Sequence, residues 1–300
     1  GSSAGWSEAT LNVDRSNYDI ANGTTIELVD WGAHHANFDT FDPTVNITEG
    51  ASGLYGNLTF DTGQSKLILT VSDEIEWDGG GSGDAWTTAE NWNIDSVPTA
   101  SDDVRVVAGA TVTSGQNEFA TLTVESGATV TFSDDWQSTI ITNSGTLDRG
   151  TVWRPLAATI TITGTGSLGA GITHLDLRGT EMNFHDGASI GSRFNWEHRY
   201  SNTFRFTLSE TGFTALELGR ISGGDKGGTP TVWSDATYNI DISDYDISNG
   251  KTVVLMDFNA SSIGGTFDPS ANSPTVNVTG LDGGTLTWDA VNYDLSVFVY

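Results

Sequence analysis

Residues 104–152 read VRVVAGATVTSGQNEFATLTVESGATVTFSDDWQSTIITNSGTLDRGTV. Apolar side chains alternate with Thr or Ser in short bursts: Val104–Val107, Thr111–Thr113, Thr121–Val124, Thr129–Phe132 and Thr139–Thr142. A period of two is the mark of a strand buried on one face. Gly, Asn, Ser or Asp separates the bursts, and each of these residues suits a turn. Further bursts follow at Thr159–Thr163, His174–Arg178, Met182–Phe184 and Phe204–Leu208. Their spacing alone fits a β-sandwich as well as stacked coils. Two features favour coils: the strands are very short, and the outward positions are repeatedly Thr. A small coil can bury its apolar face only against the coils above and below it. The reading is an all-β chain with a right-handed parallel β-helix, a solenoid, over about residues 102 to 222. Val106, Leu122, Val124, Val130 and Ile140 are expected to face inward.

The composition agrees. The chain has 36 glycines and only two methionines, so turn formers outnumber helix formers. No cysteine is present, which removes disulfides and thiolate chemistry and leaves packing and backbone pairing to hold the fold. Thirty-nine acids against twelve bases give a net charge of −27. Such a surface repels nucleic acid and anionic lipid, attracts cations and keeps the chain soluble. No apolar run is long enough to span a membrane as a helix. The opening GSSAGW has neither an initiator methionine nor a signal-peptide pattern, and reads as a processed or recombinant start.

One sentence of this sequence occurs twice. ATLNVDRSNYDIANGTTIELVDW begins at Ala9, and ATYNIDISDYDISNGKTVVLMDF begins at Ala236. Aligned at a shift of 227, residues 6–31 and 233–258 share fifteen of twenty-six positions. The repeat continues through TFDP at 40–43 and 266–269, TVNIT at 44–48 and TVNVT at 275–279, and GNLTFD at 56–61 and GTLTWD at 284–289. KLILTV closes the first copy and DLSVFV the second. Asn-Gly between apolar runs signals a tight turn, and the proline of TFDP marks a bend. The expected organisation is an N-terminal β module over 1–73, a Trp-rich cap over 74–101, a solenoid over 102–232 and a C-terminal β module over 233–300.

Between the first module and the coils stands IEWDGGGSGDAWTTAENWNIDSVPTASDDVRV, residues 75–106. Trp77, Trp86 and Trp92 can cover the open core of a first coil. This stretch, with the Y…G…L-x-D run and the GNLTFD and GTLTWD strands of the repeated module, resembles secreted bacterial β-helical surface proteins. These include autotransporter-like passenger regions and proteins with PEP-CTERM-type sorting tails. The resemblance implies an opening cap, coils and a closing module on an extracellular or cell-surface protein. It implies no particular activity. A closing module at residues 6–73 has no coils before it, so it either stems from a tandem array or belongs with a neighbouring subunit.

No G-x-S-x-G, H-E-x-x-H or P-loop pattern occurs. The one dense polar stretch, residues 174–205, holds His174, Asp176, Arg178, His185, Arg193, His198 and Arg199. A polysaccharide lyase on this fold would need such a base and charge clamp; a structural ion-pair network or a subunit interface needs the same residues. Asp78 and Asp84 of the DGGGSGD loop, and Asp241, Asp244 and Asp246, are candidate calcium ligands, although neither run has the full EF-hand pattern. Trp136, Trp153 and Trp196 are candidate sugar-stacking residues. The first expectation is therefore a non-enzymatic extracellular structural protein, part of a fibre, sheath or adhesin stalk, with other copies of itself as head-to-tail partners. A glycan-binding module with extracellular polysaccharide as partner comes second, and a lyase or hydrolase third. No cofactor beyond calcium, no nucleic acid and no membrane insertion are expected.

Overall fold

Alternation of apolar and hydroxyl-bearing residues leaves the backbone extended, and the chain is all-β. A computed structural model describes residues 10–14, 23–30, 44–48, 55–61, 66–114, 119–133, 140–149, 152–155, 158–172, 174–190, 195–199, 202–209, 215–218, 221–223, 236–244, 252–258, 275–280, 284–289, 291–292 and 294–299. Two units emerge: residues 1–107 with 118–120, and residues 108–117 with 121–300. Among the described residues no helix is long and apolar enough to cross a membrane.

The first unit contains β1 (Thr10–Asp14), β2 (Thr25–Asp30), β3 (Thr44–Thr48), β4 (Tyr55–Asp61), β5 (Lys66–Ser72), β6 (Glu74–Trp77) and β7 (Asp103–Val106). β1 pairs with β3 in parallel, from Thr10 opposite Thr44 to Asp14 opposite Thr48. β5 lies between β2 and β4 in an antiparallel sheet, with Leu67, Leu69 and Val71 buried. β6 and β7 pair in parallel, and an Arg105–Glu74 ion pair at 2.7 Å spans them.

The second unit begins with β8 (Thr111–Ser114), β9 (Thr121–Val124), β10 (Thr129–Phe132), β11 (Ile140–Asn143), β12 (Thr146–Asp148), β13 (Val152–Trp153) and β14 (Thr159–Ile162). It continues with β15 (Ser167–Leu168), β16 (His174–Arg178), β17 (Glu181–His185), β18 (Ser189–Ile190), β19 (Asn195–Arg199), β20 (Thr203–Ser209), β21 (Leu216–Leu218) and β22 (Ile221–Gly223). It ends with β23 (Thr237–Asp244), β24 (Thr252–Phe258), β25 (Thr275–Thr279), β26 (Gly284–Asp289) and β27 (Asp294–Val299). Three sheets are parallel throughout. One runs β9, β11, β14, β17, β20, β23, β25; a second β8, β10, β12, β15, β18; a third β13, β16, β19, β22. In the first, Thr121 lies opposite Ile140, Ile140 opposite Thr159, Thr159 opposite Glu181, Glu181 opposite Thr203, Thr203 opposite Thr237 and Thr237 opposite Thr275. Antiparallel sheet pairing, the rule in a sandwich, is confined among the described residues to the sheets built around β5 and β27.

In-register stacking turns each apolar position into a column. Leu122, Ile141, Ile160, Met182, Phe204 and Tyr238 follow one another, and all are buried. Phe184 stacks on Phe206 at 5.7 Å between ring centroids, and Phe204 on Tyr238 at 5.6 Å. Strands about 4.8 Å apart place like side chains in contact, and full burial of each large one contributes about 1.5–3 kcal/mol. Turn glycines stack too. Gly164 and Gly187 both have positive φ, and a Cβ on Gly187 would run into the Gly164 carbonyl oxygen. The Ala188 N–H donates to the His185 carbonyl across that turn at 3.0 Å, and Gly187 supplies the left-handed residue of the turn.

Of the five residues expected inward, Val106, Leu122, Val124 and Val130 are buried, whereas Ile140 is 52% exposed. Ile140 shares a row with Thr121 and Thr159, and its neighbour Ile141 joins the Leu122–Ile160 column. Either isoleucine suits a strand, so the register set by the flanking strands decides which is buried. The two-residue strands β13, β15 and β18 were not expected, since two residues carry no readable alternation.

Tyr238 is wholly buried, which pushes its phenol well above the ordinary tyrosine range, and among the described residues its hydroxyl finds no hydrogen-bond partner. An unsatisfied buried hydroxyl costs about 1–3 kcal/mol. Tyr238→Phe is expected to leave the stack intact and raise the melting temperature. Ile141→Ala should lower stability by about 2–5 kcal/mol, while Ile140→Ala should change it little, by about 0.5 kcal/mol; chemical denaturation of the three variants checks the inward assignment.

Candidate functional site

Asp176 lies on β16 between Leu175 and Leu177, both fully buried, and only 1% of its own surface is exposed. Alternation sends Asp176 to the face opposite the leucines, yet that face is covered here as well. Arg178, two residues on and on the same face, donates to one carboxylate oxygen from both Nε (3.1 Å) and Nη2 (2.7 Å). Arg154, which follows β13, brings its Nε to 3.5 Å from the same oxygen. Trp153 pairs with Leu175, so Arg154 arrives one rung from Asp176. Arg154 is missing from the sequence expectation because it lies outside the polar stretch; only the parallel register delivers it. Behind the cluster, the Thr180 N–H donates to Asn202 Oδ1 at 2.6 Å and the Thr180 hydroxyl to the Pro155 carbonyl at 2.9 Å.

The other polar candidates are dispersed. His174 takes a register position on the β13–β16–β19 sheet, opposite Val152 and Asn195. His185 lies opposite Thr207 on a different sheet. His198 and Arg199 occupy rungs opposite Leu177 and Arg178; Arg193 lies outside the described residues. His174 and His185 are thus on separate sheets. What is gathered is one buried carboxylate held by two guanidinium groups, which balances charge and ties successive strands together.

The DGGGSGD loop is organised by Asn91, a residue the sequence reading passed over. Asn91 is fully buried at the end of the 3-10 turn Ala89–Asn91. Its Oδ1 accepts from Gly81 N at 3.0 Å, and its Nδ2 donates to the carbonyls of Gly83 and Ala85 at 3.2 and 3.4 Å. Its own carbonyl accepts from the N–H groups of Asp78 and Gly79. The carbonyls of Gly83 and Ala85 therefore converge on the Asn91 amide. Asp78 and Asp84 are exposed, and Asp78 Oδ1 accepts from Gly80 N. Asp241 accepts from the Ser243 hydroxyl and N–H, which hold its carboxyl below the usual range. The side chain of Asp244 and the whole of Asp246 lie outside the described residues. Among the described residues no three His, Cys, Asp or Glu side chains are grouped to hold a metal ion.

Trp77, Trp86 and Trp92 pack edge to face, at 5.0 Å for Trp77–Trp92 and 4.6 Å for Trp86–Trp92, and Trp86 continues onto Phe119. All three are buried, as a cap requires. Trp153, a candidate sugar-stacking residue, is instead a core residue with no exposed surface, stacked on Phe132 at 6.4 Å. Its row includes Leu175, so the register carries it inward. Trp196 occupies a rung between Leu175 and Ile221, and Trp136 lies outside the described residues.

The two repeated modules fold alike. β1 pairs in parallel with β3 as β23 does with β25, from Thr10–Thr44 and Thr237–Thr275 onward. β2 and β4 flank β5 as β24 and β26 flank β27. Even the irregularity recurs, between Glu27 and Val29 in one copy and Val254 and Met256 in the other. They differ in what precedes them. β23 also pairs with β20, and β24 with β21. Among the described residues β1 pairs with β3 alone, and β2 with β5 alone. They differ also in charge. Lys66 lies opposite Asp30 and Asp61 and reaches Glu27 at 2.7 Å, whereas Asp294 lies opposite Asp257 and Asp289.

No protein-family model, no curated protein and no solved structure matches this chain.

Partial burial, then the charges of Asp257 and Asp289, raise the Asp294 carboxyl above its ordinary value. The folded chain thus binds this proton more tightly than the unfolded chain. The contribution of Asp294 to stability falls as pH rises from about 4 through the raised folded value. Asp289 behaves oppositely: N–H donation from Asn292 and Val291 lowers it, and its contribution is lost as pH falls. Asp294→Lys recreates the alternation of the first module, and favourable cross-strand charge pairs are worth about 0.2–1 kcal/mol each. The variant is expected to melt higher than the parent at pH 7, with the difference shrinking below about pH 4; calorimetry across that range checks it.

Proposed function

We propose that the chain is an extracellular structural protein, the subunit or repeat unit of a fibre, sheath or adhesin stalk. In this reading the parallel sheets wind into a right-handed β-helix, opened by the Trp-rich cap and closed by the repeated module. The observation that carries the reading is the pair of modules with the same strand pairings. One receives β20 and β21 on its outer edges; the other, at the N-terminal end, has the same edges without such strands among the described residues. A β module of this size with no disulfide buries little core of its own and gains from an added strand surface. Edges offered by one copy and accepted by another are heterologous contacts, which propagate into filaments unless a rotation closes them. The composition suits this role. A charge of −27 suppresses casual aggregation and leaves association to a specific edge. Charge balance at Asp176 and the asparagine-filled cap loop fit a scaffold. The likeness of residues 75–106 and of the module to secreted bacterial surface proteins points to the same setting.

Electron microscopy and light scattering of the intact chain test the proposal. Elongated polymers are expected, growing as added salt or divalent cation screens the acidic surface; the screening length is about 10 Å at 0.1 M salt. A monodisperse monomer at high concentration, with and without calcium, would refute it.

A further inference from the structure

The four parallel strands of the two modules are variants of one pentapeptide: TLNVD in β1, TVNIT in β3, TYNID at the start of β23 and TVNVT in β25. Each carries Asn at its third position. The parallel register brings these asparagines opposite each other, Asn12 with Asn46 and Asn239 with Asn277. In the second module the amides bond along the stack, Asn277 Nδ2 donating to Asn239 Oδ1 at 2.8 Å. Identical asparagines on in-register parallel strands form ladders that continue for as long as strands are added.

β25 is the last strand of its sheet, and its other edge is unpaired among the described residues. The apolar column ends there unfinished. Tyr238 and Ile240 on β23 are buried, but Val276 and Val278 on β25 are only half-buried. β1 stands at the opposite limit of its own pair. The chain advances from β23 to β25 and from β1 to β3, so β25 offers a leading edge and β1 a trailing one. In stacks of the same hand, a leading and a trailing edge join in parallel and extend the sheet. We infer that β25 of one copy pairs with β1 of the next, in parallel and in register, Thr275 opposite Thr10 and Asn277 opposite Asn12, so that the asparagine ladder runs unbroken through the joint.

This rests on the assembly reading above and names the strands that make the contact. Leu11 and Val13 would take the rungs above Val276 and Val278 and continue the column. No charged residue would face another, because Asp14 falls opposite Thr279. The competing trailing edge is β6, whose outward rungs are Glu74 and Glu76. A glutamate row continues neither the ladder nor the hydroxyl rungs.

The absence of native cysteine makes the test direct. In-register neighbours in a parallel pair lie about 4.8 Å apart, within disulfide reach. The full chain carrying both Asn12→Cys and Asn277→Cys, oxidised gently after assembly, should run as a ladder of covalent multimers. Each single variant presents its thiol to an asparagine and should stay uncrosslinked, and Asn12→Cys with Thr275→Cys, two residues out of register on the same face, should crosslink far less. Asn277→Lys should keep the parent melting temperature and lose polymer. Polymers that crosslink poorly through positions 12 and 277, that crosslink instead through Glu76→Cys with Asn277→Cys, or that survive Asn277→Lys overturn this contact and leave the assembly reading standing. A parent chain that never polymerises, or a double variant that crosslinks only within one chain, overturns the contact as well, and the first of these refutes the assembly reading with it.

Discussion

In-register parallel pairing is the constraint on which the second unit depends. Each strand of its long sheet repeats the inward and outward choice of the strand before it, because a slip of one residue would carry every apolar side chain to the wrong face. That condition gathers Leu122, Ile141, Ile160, Met182, Phe204 and Tyr238 into one column. It also stacks Gly187 against Gly164, where no larger residue fits. With no cysteine to staple the chain, stability comes from many short contacts between neighbours.

The same constraint makes the ends costly. A rung with a neighbour on one side leaves backbone groups unpaired and its apolar side chains half covered. In the proposed solenoid the Trp77–Trp86–Trp92 cluster, whose rings pack edge to face, would meet this need as a cap. The repeated module ends the stack with an antiparallel sheet around β27. Among the described residues neither device pairs with the outer edge of β25 or of β1. These edges carry matching pentapeptides, and in the proposed assembly matching edges of opposite sense would turn a liability into a joint.

Polar groups inside the structure have local reasons. Asp176 is tolerable in a covered position because two arginines, Arg178 of its own strand and Arg154 just after β13, share its charge. Asn143, at a strand end, accepts from Gly145 N and donates to the Ser167 carbonyl. The Tyr238 hydroxyl lacks such a reason; its ring extends the Phe204 stack, and the first module has Leu11 at the matching place. The two modules thus keep one pairing scheme while differing in core filling and in the Lys66-for-Asp294 charge row.

The sequence by itself determined the all-β class, the positions of most longer strands, the burial of the cap tryptophans and the duplication. These are local or repeated signals: period-two alternation, Gly-Asn-Ser punctuation and plain identity at a shift of 227. Only the tertiary structure decided which of Ile140 and Ile141 turns inward, since both suit a strand and the flanking Leu122 and Ile160 choose between them. It alone brought Arg154 to Asp176, separated His174 from His185, and buried Trp153, because partners in a parallel stack are about twenty or more residues apart in sequence. It also filled the glycine loop with the Asn91 amide: a glycine-rich run with flanking acids says only that backbone groups will converge, and the group they converge on comes from the turn that follows.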